Sequence, residues 1–231
     1  DYLIQYDSAK YQSVGTLHAP DFETIYSLKP DLIIASSRSS NAYDELSKIA
    51  PTVVLMTDAR HFWATTQKAW RMFGVIFKKE HQVEQIIKST THRIEKVKLR
   101  AQTQEAEALM VMTNGGNVTT FGAGSRYNAI FDEFGFKQLV RNDKVLAHGD
   151  LISYEFITKI NPDYLLVVDR DKAIGYDSGE AKQDFYNELI QQTNAGKNNR
   201  ITELNPQAWY ISASGVTATQ LMIEDMNNAL R

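Results

Sequence analysis

The chain has 231 residues, 43 % hydrophobic and 23 % charged, an ordinary globular balance that excludes extended disorder and collagen-like repeats and predicts one large domain or two lobes. With 25 basic against 28 acidic residues the net charge is −3, so no overall field favours nucleic acid or an anionic membrane, and any anion site must be local. The absence of cysteine excludes disulfides, zinc thiolate sites and thiol nucleophiles, and no window approaches the roughly 18 apolar residues of a membrane span. Asp1-Tyr2-Leu3-Ile4 lacks the basic start and apolar stretch of a signal peptide, so any targeting segment is expected upstream.

In chain order, apolar runs at 32–35, 53–56, 108–112 and 164–168 read as strands buried on both faces, which predicts parallel α/β layers. Between about His61 and Gln104 there is no proline and one glycine, with apolar residues at helical spacing from Phe62 to Val97. This predicts one or two long helices, broken near Gly74, whose second half is polar enough to be exposed or to bridge two bodies. Gly115-Gly116, between two strand-like runs, predicts a hairpin turn.

The most informative feature is an internal repeat. The segment from Asp21 to Ile34 returns 132 positions later as Ser153 to Leu166: Glu23 becomes Glu155, Pro30-Asp31 becomes Pro162-Asp163, and Arg38 becomes Arg170. Each copy predicts a short helix capped by Asp21 or Ser153, with its glutamate in the first turn, ended by proline and followed by a strand. Helices antiparallel to strands put each glutamate and each arginine on one sheet edge, the edge where open α/β sheets bind ligands. Two such lobes would form a cleft lined by Arg38 and Arg170, with the helix from about Glu80 as hinge or spine.

Arg126, in a glycine-rich segment, adds a third permanent cation, and three cations in a cleft imply an anionic ligand. Gly122-Ala123-Gly124-Ser125 lacks the spacing of a phosphate loop, and Ser214 lacks a nucleophile elbow, so nucleotide hydrolysis and serine hydrolysis are disfavoured. The five histidines show no metal-ligand spacing. His148, before Gly149 and the second repeat's helix, is expected on the cleft edge, and Val14-Gly15-Thr16 is its first-lobe counterpart. Trp209-Tyr210 reads either as a buried aromatic pair or, through the phenol oxygen, as a cleft group. A tyrosine and a histidine facing arginines suit Fe(III), a hard ion whose anionic oxygen ligands need neutralising.

Val14-Gly15-Thr16, Asp21-Phe22-Glu23, Lys29-Pro30-Asp31-Leu32, Phe121-Gly122, Ser125-Arg126, His148-Gly149, Asn161-Pro162-Asp163, Asp169-Arg170 and Trp209-Tyr210 together resemble the periplasmic ferric-siderophore-binding proteins of ABC importers, in their catecholate branch. The resemblance implies two Rossmann-like α/β lobes joined by one long α-helix, with the ligand cleft between them: an N-terminal lobe over 1–79, an interdomain helix over 80–104 and a C-terminal lobe over 105–231. It implies that Arg38, Arg126 and Arg170 contact the triply negative iron-catecholate centre. It also implies that His148 and Tyr210 complete the iron coordination when a siderophore offers only two catecholates, and that Glu23 and Glu155 dock onto the inner-membrane permease. No intrinsic cofactor, enzymatic activity or nucleic-acid partner is expected; Fe(III) arrives as the siderophore complex, and the protein is a monomer, periplasmic or lipid-anchored outside the cytoplasmic membrane. Relatives usually carry a further strand and helix before Val14, so the first lobe is expected to lack them. The rivals are a haem or cobalamin carrier of the same fold, which needs no trio of cleft arginines, and an α/β enzyme, which needs a base and nucleophile in reach.

Overall fold

The computed structural model describes residues 4–6, 8–140, 149–176 and 185–231. The chain divides into two compact units, Asp1–Thr57 and Asp58–Arg231.

In the first unit, α1 (Phe22–Leu28) starts where the Asp21 carboxylate accepts from the Thr24 N–H at 3.1 Å, and it ends at Lys29, held left-handed at φ 50° just before Pro30. β1 (Ile33–Ser36), α2 (Tyr43–Ile49) and β2 (Thr52–Leu55) follow, the two strands pairing in parallel from Ile33 opposite Thr52 to Ser36 opposite Leu55. Ile25, Ala35 and Leu46 form the small core. These strands are not buried on both faces as the apolar runs predict: Ile34 in β1 is 46 % exposed, and the second run ends past β2 on Met56, 65 % exposed. A two-stranded sheet covered from one side has one dry face. Gly15 is at φ 96°, and a Cβ there would lie 2.4 Å from the Ala19 carbonyl oxygen, so the loop before α1 closes only on glycine.

The second unit opens with α3 (Phe62–Ile76) and α4 (Glu80–Thr103). The break falls at 77–79, where Lys78 takes φ 54°, rather than at Gly74. Gly74 lies buried inside α3, where a Cβ would come within 3.2 Å of the Val83 side chain; its role is to let the helices approach. One stripe of α4 is buried, Ile87, Thr90, Ile94, Val97 and Ala101, against α3 and the C-terminal helix, leaving the polar side outside. Residues 58–79, expected with the first lobe, pack in this unit instead. Long-range bonds explain it: the Trp63 N–H donates to Glu133 at 2.9 Å, its indole to Thr91 at 3.1 Å, and the Trp70 indole to the Ser214 carbonyl at 2.8 Å.

The sheet of this unit runs β6 (Asp150–Ile152), β4 (Asn117–Phe121), β3 (Glu107–Asn114), β7 (Tyr164–Asp169), β8 (Ile201–Glu203), with β5 (Lys137–Gln138) also beside β3. β3, β5, β7 and β8 are mutually parallel, and β4 is the antiparallel return of a hairpin. Both central strands are buried on both faces, as their apolar runs predict. Met110 and Leu166 face the core made with α3, α4 and α10 (Val216–Ala229), while Leu109, Val111, Leu165 and Val167 face the core made with α6 (Tyr154–Ile160), α8 (Glu188–Gln191) and α9 (Asn194–Lys197). Between them in the chain lie the short α5 (Ala129–Asp132) and α7 (Arg170–Ala173). No helix among the described residues is long and apolar enough to cross a membrane.

Candidate functional site

Arg126, Arg170 and Tyr210 meet in the second unit, at the carboxyl ends of β3 and β7. Thr113 lies opposite Asp169 in the parallel register, so the two strands end together. Asp169 caps α7 by accepting from the Lys172 N–H at 3.0 Å, which makes Arg170 the first helical residue and turns it outward from the sheet. On β3 the chain reverses through Gly115 and Gly116, both at positive φ (53° and 80°), a two-residue turn that returns Asn117 beside Asn114. Tyr210 sits in a π-helical turn, Gln207–Ile211, whose Trp209 is buried while Tyr210 is half-buried.

The contacts are specific. The Arg170 Nε donates to the Tyr210 phenol oxygen at 3.0 Å and its Nη1 to the Asn114 side-chain oxygen at 3.0 Å. Arg126 Nη2 donates to the Tyr210 carbonyl at 2.7 Å, and its guanidinium carbon stands 4.2 Å from the centre of the Tyr210 ring. One tyrosine is thus held by two guanidinium groups, one on its oxygen and one over its face. Asp171, 3.9 Å from Arg170, is committed to the hairpin through the Gly115 N–H at 2.7 Å. Beneath them Tyr127 is fully buried, which pushes its phenol up and keeps it neutral.

The loop carrying Arg126 is not a phosphate cradle. Its amides already have partners: Ala123 with Gln138 at 2.9 Å, Gly124 with Asn128 at 2.7 Å, Ser125 with the Gly122 carbonyl at 3.2 Å. Positive charge here comes from side chains.

Arg38 belongs to the first unit, on a 3₁₀ turn (Ser37–Ala42) directly after β1; it is exposed, and its guanidinium makes no hydrogen bond or ion pair among the described residues. His148 lies outside the described residues. Gly149, next to it, is at φ 73°, and a Cβ there would meet the Thr120 carbonyl oxygen at 2.7 Å. Glu23 and Glu155 are exposed in the first turns of α1 and α6, as the repeat predicts. They differ in surroundings. The Glu155 carboxylate is held below its usual range by its own backbone N–H and by Ser153, whereas Glu23 borders a shallow groove with Phe22, Tyr26 and Ile49.

Asn114, which enters through Arg170, 56 positions away in sequence, carries no motif. The Asn-Gly pair at 114–115 signals a turn and says nothing of Arg170. Among the described residues no group of three or more His, Cys, Asp or Glu side chains could hold a metal ion.

A family model described as "Periplasmic binding protein" matches residues 3–208. The petrobactin-binding protein YclQ of Bacillus subtilis is 38 % identical over 99 % of this chain and 72 % of its own length. The ferric-anguibactin-binding protein FatB of Vibrio anguillarum is 32 % identical over 92 % of this chain and 67 % of its own. Among solved structures, the periplasmic catecholate-siderophore binding protein VctP from Vibrio cholerae superposes with a TM-score of 0.93 at 46 % identity, covering 98 % of this chain and 82 % of that one.

Proposed function

We propose that this chain, which belongs to the periplasmic binding protein family, captures a ferric catecholate siderophore outside the cytoplasmic membrane and delivers it to the permease of an ABC importer, catalysing no reaction itself. The observation that carries the proposal is the convergence of Arg126 and Arg170 on Tyr210 at the carboxyl edge of the sheet. Two permanent cations around one tyrosine, one on its phenol oxygen and one over its ring, suit a ligand that brings both negative charge and aromatic rings. The guanidinium groups of Arg126 and Arg170 offset the charge of the iron-catecholate centre through charge-assisted hydrogen bonds. Tyr210 and His148 occupy iron positions that a bis-catecholate leaves open, their oxygen and nitrogen being suitable donors for Fe(III). Glu23 and Glu155 contact cationic side chains of the permease.

Haem and cobalamin offer the discriminating comparison. Titration followed by the fluorescence of the three tryptophans should show saturable quenching by ferric bis- and tris-catecholates and none by haem or cobalamin. Tight haem or cobalamin binding without a catecholate response overturns the assignment.

A further inference from the structure

We propose that Asp225, on α10, is a positioning residue for ligand binding: it fixes the turn that sets Tyr210 between Arg126 and Arg170. The inference rests on the assignment of that cluster to ligand binding. One oxygen of the Asp225 carboxylate accepts two hydrogen bonds from the segment that carries Tyr210, from the Asn205 backbone N–H at 2.7 Å and from the Trp209 indole N–H at 2.9 Å.

These two donors bracket the turn. Asn205 opens it, its side-chain oxygen accepting from the Ala208 N–H at 2.9 Å, and its carbonyl accepts from the Trp209 N–H at 3.0 Å. Trp209 is the residue immediately before Tyr210, and its ring is buried beside Tyr127 and Phe134, with centroids 6.5 and 6.1 Å away. Holding the backbone at one end and the indole at the other fixes the rotation of the turn about its axis. That rotation decides where the next residue points. The Tyr210 carbonyl and phenol oxygens are the acceptors of Arg126 and Arg170, so an error in rotation moves both bonds together.

The chemistry of the group supports a role beyond packing. Asp225 is partly buried, and burial is the dominant influence raising its carboxyl. An apolar residue would be cheaper there if filling space were all that was needed. The charged neighbour on its own helix is Glu224, itself 3.7 Å from Arg93 of α4, and the 205–209 segment presents to the carboxylate only the two N–H donors.

The test uses the whole protein and ferric bis-catecholate as probe, with wild type, Asp225→Asn, Tyr210→Phe and the double variant. Asp225→Asn keeps the shape and one acceptor oxygen but loses charge assistance, and should weaken binding about tenfold. In the Tyr210→Phe background the same change should cost at most about twofold, because neighbours acting through one another are non-additive. Trp209→Phe, which removes the indole donor and keeps an aromatic, though smaller, ring, should reproduce the loss. In ligand-free protein the ¹H–¹⁵N signal of Arg170 Nε should shift in Asp225→Asn. Unchanged affinity with an unchanged Arg170 signal overturns the inference, as does an additive double variant. Failure of wild type to bind any ferric catecholate, with the Arg170 signal still shifted, instead overturns the functional assignment and leaves the positioning intact.

Discussion

Arg170 spends two of its donors inside the protein, Nε on Tyr210 and Nη1 on Asn114, and so presents its remaining edge in a fixed direction. Lysine has the charge but not the fork. Arg170→Ala should therefore cost about 1.5–3 kcal/mol of ferric catecholate binding, the range for a hydrogen bond to a charged partner, and Arg170→Lys should recover less than half of it. Arg126→Lys should behave alike, since the flat guanidinium over the Tyr210 ring, 4.2 Å from its centre, has no ammonium equivalent. Equilibrium titrations of the three variants and wild type decide the matter; full binding by both lysine variants would mean that charge alone is recognised. At this scale Arg126, Arg170 and Tyr210 were legible as residues that meet, because the repeat or the resemblance marked each of them. Asn114 and Asp225 were not, because each acts through a residue 56 or about 16 to 20 positions distant.

Elements were legible wherever the information is local. Asp21 and Ser153 cap their helices through side-chain oxygens, at 3.1 and 3.2 Å, and both helices end on a left-handed residue before proline, so the repeat extends to individual atoms. The hairpin at Gly115-Gly116 follows from the same local logic. The helix break was misplaced because a glycine can serve close approach as well as chain termination, and only the position of Val83 distinguishes the two. Gly149 permits a sharp prediction at this level. It enters β6 at φ 73°, against the Thr120 carbonyl oxygen and the Phe121 ring, so Gly149→Ala adds both a strained backbone and a clash with a strand that cannot retreat. The expected loss is about 1–3 kcal/mol in urea unfolding. Gly116→Ala, where a Cβ meets nothing within 4 Å, should pay only for the positive φ, about 1 kcal/mol. Equal losses at the two sites would contradict the clash.

For the whole molecule, the α/β class with paired units was legible from alternating apolar runs and helical stretches, but the boundary at Asp58 was not. It depends on Trp63 and Trp70 finding partners up to 144 positions away, which no window of sequence contains. Global stability depends on pH through Asp225. Its carboxyl is raised from 3.8 to about 6, chiefly by burial, so between these values the folded protein binds a proton that the unfolded chain has released. Stability from this group is therefore present in full below about pH 4 and falls as pH rises to about 6, by about 2–3 kcal/mol. Asp21, Asp58, Glu84 and Glu155 work in the opposite sense: each is lowered by hydrogen bonds, so its contribution is lost on acidification. The measured curve is the sum, and a variant separates them. Urea unfolding of wild type and Asp225→Asn from pH 4 to 8 should show the wild-type advantage shrinking up to about pH 6 and level beyond it, because the asparagine does not titrate while the opposing carboxylates are common to both proteins. A difference that stays constant across this interval would mean that the Asp225 carboxyl ionises alike in the folded and unfolded chain, and that the negative charge beneath the Tyr210 turn costs the fold nothing.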